Sequence, residues 1–532
     1  MLKSPKRLSG RNFKGEGTVN IIPKPLKIEN AEGSFRFDSA VRVFAPVPII
    51  SSMFDELDET VAPDGRTVVF ELGVTEYDYV LEIFDTGVKA VAGDAEGLFH
   101  AAITLKQLVE CSDNGEIAAC RICDRPRFPY RGVLMDVSRH FFGVDVVKKV
   151  IDAMALFKFN YLHLHLSDDQ GFRIACEKMP LLTEHASRRA QTCGDGKPYG
   201  GFFTEADVRE IVSYAAERYV NVMPEIDLPG HTRAVVSAYP ELSCSGKPVE
   251  VATKFGIFSE ILCAGKDETY EAVRNILGDV AKLFPCKYFH IGGDEVAKLE
   301  WAKCERCRAL MEKEGLADYE KLQGYFTCKV TDMLEELGKT PVVWNEALLS
   351  GMLDKNAVIQ YWKPGAKSAR EVAAAVREEG RRVIVSRHNP YYLDQPYGYS
   401  SLKAAYEFEP CLAEFGEGAE AFVTGVECTL WAEHIDSAEK LFSMMFPRAA
   451  AVAESGWSAP QKNYSVFAER LRKVIKMLRA MGINYTSIGD SNPSFVKGIV
   501  ETVAFQLKNM SRIDASSARN WRSIGMRPKK KK

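Results

Sequence analysis

The sequence predicts an α/β protein in which a (β/α)8 TIM barrel follows a small α+β domain. Two observations carry this prediction. From residue 127 onward, β-rich segments alternate with segments of helical apolar spacing, and acids or tryptophans stand at the ends of most of the β-rich segments. A chain of 532 residues with 46% hydrophobic content is long enough to bury the core that such a barrel needs.

Residues 18–126 form the predicted α+β domain. Its β-type segments are VRVFAPV, TVVFEL, DYVLEIF and VKAVAG, each bounded by turn-forming residues. The segment GLFHAAITLKQLV then predicts a helix, because its apolar residues recur at helical spacing: Leu98, Phe99, Ala102, Leu105 and Leu108. Pro126 and Pro129 predict a linker at the end of this domain.

Residues 127–485 form the predicted barrel. Eight segments have β character, at 131–136, 160–168, 219–227, 287–295, 340–346, 357–362, 382–386 and 425–433. Helical patterns separate them, such as VDVVKKVIDAMALFKF, whose apolar stripe comprises Val146, Val147, Val150, Ile151, Met154 and Phe157. An open doubly wound sheet is the competing architecture, but no G-x-G-x-x-G follows the first strand.

Charge and hydropathy argue against nucleic-acid and membrane partners. The formal net charge is only -3, and no run of about 18 apolar residues occurs. The start of the chain lacks the apolar region of a secretory signal, so a cytoplasmic location is expected. Residues 1–17 and the closing RPKKKK are expected to be solvated basic tails. Residues 486–532 are predicted to form a helical extension, in which FVKGIVETVAFQL suits a docking helix; the oligomeric state is left open.

The ends of the predicted strands carry the candidate chemistry. They hold Asp136 and Arg139, Asp168 and Asp169, Glu225 and Asp227, Asp294 and Glu295, Trp344 and Glu346, Trp362, and Trp431 and Glu433. In a (β/α)8 barrel these positions share the C-terminal rim, where active sites of this fold are built. One such acid alone is more often a helix cap or a solvated loop residue. Tryptophans gathered with carboxylates favour a sugar site, because sugar faces stack on rings and acids bind hydroxyls.

Two neighbouring histidines raise a metal alternative. His163 and His165 lie on one face of a predicted strand and could, with His231, begin the metal site of a barrel hydrolase. Inward-facing histidines that bond to backbone groups or carboxylates are the favoured interpretation.

The cysteines offer a second possible set of metal ligands. Among the 13 cysteines, the pairs Cys120/Cys123 and Cys304/Cys307 have C-x-x-C spacing and could share a zinc ion. They lie far apart in the sequence and have no histidine at zinc-finger spacing, so buried thiols in a reducing compartment are expected. The sequence therefore predicts no metal and no cofactor.

A series of motifs occurs in order along the predicted barrel. It runs RGVLMDVSRHFF, NYLHLHLSDDQGFR, PEIDLPGH, HIGGDE, VVWNE, YYLD and LWAE. This series resembles glycoside hydrolase family 20, the β-N-acetylhexosaminidases, over residues 130 to 480. The resemblance implies a retaining exo-enzyme that removes terminal β-linked N-acetylglucosamine or N-acetylgalactosamine from a glycan. It also implies that the substrate's own 2-acetamido oxygen is the nucleophile and forms an oxazolinium intermediate, an exception to the usual two-carboxylate scheme.

The resemblance also implies a role for each matched residue. Glu295 would be the general acid that protonates the leaving oxygen and then the base for water, and Asp294 would orient the acetamido nitrogen. The glycines before them permit the backbone to leave β geometry. Among the implied substrate-binding residues, Arg139 would bind the 3- and 4-hydroxyls and Glu433 the 4- and 6-hydroxyls. Asp168 and His231 would form a polar pair that supports Glu295. The acetamido pocket would have Trp344, Trp362 and Trp431 as its walls, with Tyr392 and Asp394 as acetamido and nucleophile-side contacts.

The sequence departs from the family pattern at one wall of the pocket. A further tryptophan is expected between YYLD and Glu409, where the aromatic residues are Tyr397, Tyr399, Tyr406 and Phe408. Because this wall of the pocket differs, the sequence does not predict the preference between the gluco and galacto epimers or the shape of the sugar-binding subsites. A same-family enzyme that releases a disaccharide is the alternative within this interpretation.

Overall fold

The computed structural model describes residues 19–39, 41–54, 66–363, 365–460 and 462–524. The predicted basic tails, at 1–17 and in the closing RPKKKK, lie outside these residues. Within the described ranges, no helix has the length and apolar character needed to cross a membrane.

A mixed six-stranded sheet precedes the barrel. In the order β1-β6-β4-β5-β3-β2, it contains β1 (Lys27–Arg36), β2 (Arg42–Phe44), β3 (Thr67–Leu72), β4 (Tyr79–Phe84), β5 (Gly87–Ala92) and β6 (Glu116–Asp124). Helix α1 (Ala95–Glu110) packs against this sheet. The predicted segments account for β2 to β5 and α1, whereas β1 and β6 are additional strands.

Eight parallel strands close into a barrel, which confirms the predicted fold class. They are β7 (Tyr130–Asp136), β8 (Tyr161–His165), β9 (Asn221–Glu225), β10 (Tyr288–His290), β11 (Thr340–Trp344), β12 (Val358–Tyr361), β13 (Val383–Val385) and β14 (Val423–Leu430). Each of the predicted β segments overlaps one of these strands. Neighbours in sequence pair in parallel, and β14 pairs with β7 to close the barrel.

Helices surround the barrel strands. Those of at least seven residues are α2 (Val144–Leu156), α3 (Glu205–Ala216), α4 (Asp267–Ala281), α5 (Glu305–Lys313), α6 (Tyr319–Glu336), α7 (Ala366–Glu379), α8 (Ala438–Met445), α9 (Arg448–Trp457) and α10 (Tyr464–Val474). Helix α2 buries most of the predicted stripe, including Val147, Val150, Ile151 and Met154. It ends earlier than its apolar pattern, because Lys158 adopts a left-handed backbone with φ 59°.

The barrel interior changes from apolar to polar towards the C-terminal rim. Tyr130, Met223 and Tyr288 belong to an apolar cluster inside the barrel. Nearer the rim lie His163 and Glu225, with the His163 Nε2 atom 3.2 Å from a Glu225 carboxylate oxygen. Polar groups therefore lie buried directly beneath the rim, where they can orient the residues above them.

Two further helices cover part of the rim. They are α11 (Phe495–Arg512) and α12 (Ser517–Ser523). The connection between them pairs with a barrel loop, since the Phe255 amide donates to the Arg512 carbonyl at 3.1 Å. The predicted helix in FVKGIVETVAFQL is therefore present, and it leads into a segment that docks on the rim.

Candidate active site

A pocket of about 340 Å³ opens at the C-terminal rim of the barrel. All but two of the predicted site residues line it: Arg139, His231, Asp294, Glu295, Trp362, Tyr392, Asp394, Trp431 and Glu433. The other two, Asp168 and Trp344, are each 1% exposed and lie behind this lining. The volume is at the lower end of the range for small-molecule sites.

The backbone after β10 leaves β geometry and brings two adjacent acids to one pocket. Gly292, Gly293 and Glu295 have φ values of 64°, 99° and 49°. A side chain at Gly292 would place its Cβ 1.7 Å from the Asp227 Oδ1 atom, so only glycine fits there. Because this turn breaks the alternation of a regular strand, Asp294 and Glu295 both line the pocket.

His231 lies between the two acids and a second acidic pair. Its Nε2 atom is 3.6 Å from Glu295 Oε2 and 3.9 Å from Asp294 Oδ2. Its Nδ1 atom is 3.1 Å from Asp169 Oδ2 and 3.4 Å from Asp168 Oδ1. Burial alone would lower the pKa of His231, but these carboxylates hold it well above the ordinary value. The imidazolium form therefore sits beside the acids.

Carboxylates also hold Arg139, which lines the same pocket. Its Nη2 atom is 2.5 Å from Asp168 Oδ2, and its Nη1 atom is 3.3 Å from Asp136 Oδ2. Although burial would raise the pKa of Asp168, Arg139 and His231 hold it far below the ordinary value. The guanidinium also lies over the Trp431 ring, 4.9 Å from its centroid, and 4.0 Å from Glu433 Oε1. Asp168 thus connects Arg139 and His231 from behind the pocket.

Aromatic rings form a continuous wall. Trp362 stacks on Tyr392 with centroids 5.9 Å apart, and Tyr392 lies 6.2 Å from Trp431. Trp344 is behind them, 5.9 Å from Trp431, and donates from Nε1 to Glu225 Oε1 at 3.0 Å. Such a wall suits the apolar face or acyl group of a sugar.

Several buried polar atoms at this wall have no hydrogen-bond partner among the described residues. They include Asp294 Oδ1, Asp394 Oδ1 and Trp431 Nε1. Unpaired buried polar atoms are costly, so a polar ligand that pairs with them binds favourably. Burial also raises the pKa of Asp394, to about 7, and that of Glu433.

The C-terminal extension supplies pocket residues that the sequence analysis did not identify. Phe505 and Trp521 line the pocket, together with Asn509, whose Oδ1 atom is 3.0 Å from His434 Nε2. The aromatic residues between YYLD and Glu409 do not line it. The apolar spacing of FVKGIVETVAFQL indicated a docked helix, but nothing in that pattern indicated that it docks at the active site.

Of the three histidines of the metal alternative, His163 and His165 lie beneath the pocket, whereas His231 lines it. His163 Nδ1 is 3.1 Å from Glu427 Oε1, and His165 Nε2 is 3.0 Å from Asp168 Oδ2. Both side chains are fully buried and neither lines the pocket. Both ring nitrogens of His165 face carboxylates, whereas His163 Nε2 has no hydrogen-bond partner among the described residues. The choice between the two interpretations of these histidines therefore stays a prediction.

The two C-x-x-C pairs do not meet. Cys120 and Cys123 lie in β6 of the small sheet. Cys304 and Cys307 lie in the barrel domain, close to Cys244 and Cys263.

Comparisons with known proteins agree with the motif series. Residues 128–460 match the family model for the catalytic domain of glycosyl hydrolase family 20, and residues 18–125 match the model for domain 2 of that family. A beta-hexosaminidase of Porphyromonas gingivalis is 33% identical over 88% of this chain. The chain spans 64% of the length of that relative.

Other relatives match over nearly their whole length. A beta-N-acetylhexosaminidase of Cellulomonas fimi is 34% identical, covering 85% of this chain and 93% of the relative. The solved structure of the GH20 beta-N-acetylhexosaminidase from Streptomyces coelicolor A3(2) has a TM-score of 0.77 at 32% identity, covering 90% of this chain and 98% of that one.

Proposed function

The chain belongs to glycosyl hydrolase family 20, and from the residues that converge on its barrel mouth we propose that it is a retaining exo-β-N-acetylhexosaminidase. Its substrate would be a glycan that ends in β-linked N-acetylglucosamine or N-acetylgalactosamine. The observation that carries this proposal is that Asp294 and Glu295 line one aromatic-walled pocket. Two adjacent acids with separate tasks are what participation by the substrate's acetamido group requires.

Glu295 is proposed as the general acid and base. Its side chain is 19% exposed and lies 3.6 Å from His231 Nε2, so it is near the pocket mouth and beside a cationic partner. In the first step it gives its proton to the glycosidic oxygen as the acetamido oxygen attacks the anomeric carbon. In the second step it takes a proton from the water that opens the oxazolinium ring. Double displacement at one carbon gives net retention.

Asp294 is proposed as the residue that binds the acetamido nitrogen. Its Oδ1 atom is buried and has no partner among the described residues, so it can accept a hydrogen bond from the amide N–H. Burial raises the pKa of Asp294, and the Glu295 charge adds to this, while His231 opposes it. As positive charge develops on the oxazolinium ring, the Asp294 carboxylate stabilises it. Because the carboxylate is already in place, this is a preorganised electrostatic effect.

The remaining residues are proposed to bind the sugar. Arg139 and Glu433 lie together at one side, suited to a pair of hydroxyls that need both donors and an acceptor. Asp394 accepts from, or when protonated donates to, a further hydroxyl. Trp344, Trp362, Trp431 and Tyr392 enclose the acetamido methyl group.

Asp168 and His231 are proposed to support the acids rather than to contact the sugar directly. Asp168 is 1% exposed and touches both Arg139 and His231. Its negative charge keeps His231 protonated, and His231 in turn faces Asp294 and Glu295.

A panel of aryl glycosides tests the proposal. The enzyme is expected to hydrolyse 4-nitrophenyl N-acetyl-β-glucosaminide and its galacto epimer, and to leave the 2-hydroxy glucoside essentially uncleaved, because the latter lacks the nucleophile. Proton NMR of the early product should show the β anomer. Equal cleavage of the 2-hydroxy glucoside, or release of the α anomer, would contradict the assisted mechanism. A disaccharide released from tetra-N-acetylchitotetraose without free N-acetylglucosamine or trisaccharide would favour the disaccharide-releasing alternative.

A further inference from the structure

Four cysteines from three separate segments meet beside the loops that form the pocket: Cys244, Cys263, Cys304 and Cys307. The Sγ atom of Cys263 is 3.6 Å from that of Cys307 and 3.8 Å from that of Cys304, and Cys244 is 3.8 Å from Cys307. All four sulfur atoms lie within 4.8 Å of one another. These separations are far beyond the roughly 2.05 Å of a disulfide bond.

The spacing matches that of a tetrahedral metal site. Zinc–thiolate bonds are about 2.3 Å long, and the edge of a tetrahedron is about 1.63 times its centre-to-corner distance, which gives sulfur–sulfur separations of about 3.8 Å. Three of the six sulfur–sulfur separations are 3.6 to 3.8 Å, and all six are within 4.8 Å. A multi-iron cluster would hold its cysteines farther apart, because an iron–sulfide core must fit between them.

The fold builds the cluster from specific local contacts. Cys304 is the N-cap residue of α5 and Cys307 lies in its first turn, and their sulfur atoms face the same cluster. Cys263 is fixed to the preceding segment, since its amide donates to the Leu242 carbonyl at 2.9 Å. Gly265 packs directly on the C-x-x-C loop: a Cβ there would lie 2.4 Å from the Arg306 carbonyl carbon.

Burial and charge favour a cation at this position. Cys263 and Cys307 are fully buried, and Cys304 is 9% exposed. The start of α5 adds a positive helix terminus. Thiols this close cannot all ionise without a cation between them.

We propose that Cys244, Cys263, Cys304 and Cys307 bind one zinc ion as a structural site. Four thiolate–zinc bonds form and the thiol protons pass to solvent, so no redox partner is needed. Four protein ligands leave no open position for water, as is usual for structural rather than catalytic zinc. None of the four cysteines lines the pocket, which agrees with a structural role.

The site would connect the loop of His231, a proposed positioning residue, with the loop of Glu295, the proposed general acid. Leu262, next to Cys263, donates its amide to the Thr232 hydroxyl oxygen at 3.2 Å, and Thr232 follows His231. The Leu262 carbonyl accepts from Trp301 Nε1 at 2.9 Å, in the short helix Leu299–Lys303 that leads from Glu295 to Cys304. One zinc-anchored segment therefore contacts both the His231 loop and the Glu295 loop.

Metal analysis of the wild-type protein is the primary test. After expression with added zinc and passage over a chelating resin, inductively coupled plasma mass spectrometry should find about one zinc per chain. X-ray absorption at the zinc edge should show four sulfur neighbours at about 2.3 Å. Cobalt substitution should give the intense visible bands of a tetrahedral tetrathiolate. These measurements use no substrate, so they are independent of the proposed function.

A pair of matched double variants locates the site. Cys304→Ala/Cys307→Ala should lower the zinc content at least tenfold and lower the melting temperature. Cys120→Ala/Cys123→Ala removes the other C-x-x-C pair, from β6, and should keep the zinc. If the first variant does not fold, titration of the wild type with a mercurial in the presence of a zinc indicator should still release one zinc ion.

Specific outcomes would overturn the proposal. They are a wild-type protein with less than about a tenth of a zinc per chain, iron in place of zinc, a disulfide within the cluster by mass spectrometry, or equal zinc loss in both double variants.

Discussion

Replacing Glu295 by glutamine should slow the enzyme by a factor that depends on the leaving group. Glutamine keeps the size of the side chain but cannot give a proton to the glycosidic oxygen. For a poor leaving group, such as a methyl or sugar aglycone, kcat/KM should fall by about 10² to 10⁴, the usual contribution of general acid catalysis. This corresponds to about 2.7 to 5.4 kcal/mol of transition-state stabilisation. For 2,4-dinitrophenol, which leaves without protonation, the fall should be less than about tenfold.

The structure allows this loss to be assigned to chemistry rather than to folding. Glu295 has 19% of its side chain exposed, and its nearest charged partner, His231 Nε2, is 3.6 Å away, beyond a strong hydrogen bond. The substitution keeps the φ of 49° with a side chain of nearly the same shape. We therefore expect a change in unfolding free energy within about 0.5 kcal/mol, as for other substitutions outside the core.

The assay compares kcat/KM, which reports only steps up to the first irreversible one, across aryl N-acetyl-β-glucosaminides of graded leaving-group pKa. The logarithm of kcat/KM should depend weakly on leaving-group pKa for the wild type and steeply for Glu295→Gln. Glu346→Gln is the matched control. Glu346 Oε2 accepts a hydrogen bond from Trp362 Nε1 at 3.1 Å, so this substitution changes the pocket wall and should alter kcat/KM by the same factor for all leaving groups. A Glu295→Gln variant with a shallow dependence, or with wild-type kcat/KM for the methyl glycoside, would refute the assignment of the acid.

Further outcomes are expected at other positions. Asp294→Asn should lower kcat/KM by about 10² to 10³ for good and poor leaving groups alike, which a leaving-group series on the variant checks. Burial raises the pKa of Asp294 and its carboxylate form is the active one, so kcat/KM of the wild type should fall as pH drops through that pKa; a pH profile should show this acid limb missing in Asp294→Asn. Arg139→Lys should raise KM more than tenfold with a smaller effect on kcat in steady-state assays, because an ammonium lacks the planar fork that now meets Asp168 and Asp136. Trp521 lines the pocket, so Trp521→Ala should lower kcat/KM for tri-N-acetylchitotriose several-fold. Hydrolysis of N-acetyl-β-glucosaminyl fluoride, a small substrate without a second sugar, should be unchanged.

The barrel was predictable because its strands are short apolar runs separated by amphipathic helices. Strands β1 and β6 were not predicted, and for β1 the sequence explains why. In KIENAEGSFR the burial pattern is irregular, and the pairing with β6 shifts register between Asn30 and Ser34. A strand with a bulge and charged residues lacks the alternation on which a sequence-based assignment depends.

The rim residues were predictable for a different reason. In a parallel barrel the C-terminal end of every strand lies at the same rim. Residues that directly follow the strands, such as Asp294 and Trp431, therefore lie close together for many different loop conformations. Phe505 and Trp521 reach the pocket through the docking of α11 and α12, which depends on contacts such as Phe255 with Arg512. Contacts of that kind join residues far apart in the sequence and leave no local spacing signal.

The cysteine cluster shows the same limit. The C-x-x-C spacing identifies Cys304 and Cys307, but the obvious partner pair, Cys120 and Cys123, lies in a different sheet. The residues that complete the cluster come singly from loops, and neither Cys244 nor Cys263 has a neighbouring ligand in sequence. Tertiary structure was needed to find them.

Backbone strain connects the proposed zinc site with the proposed chemistry. His231 and Glu295 both have left-handed backbones, with φ values of 51° and 49°. For residues other than glycine such conformations cost of order 1 to 3 kcal/mol each and persist only where surrounding contacts fix them. Loops alone are the least constrained parts of a barrel. Leu262 bonds to both loops, and the neighbouring Cys263 would anchor it to the metal. A buried metal would therefore supply rigidity to the strained backbone at His231, a proposed positioning residue, and at Glu295, the proposed acid.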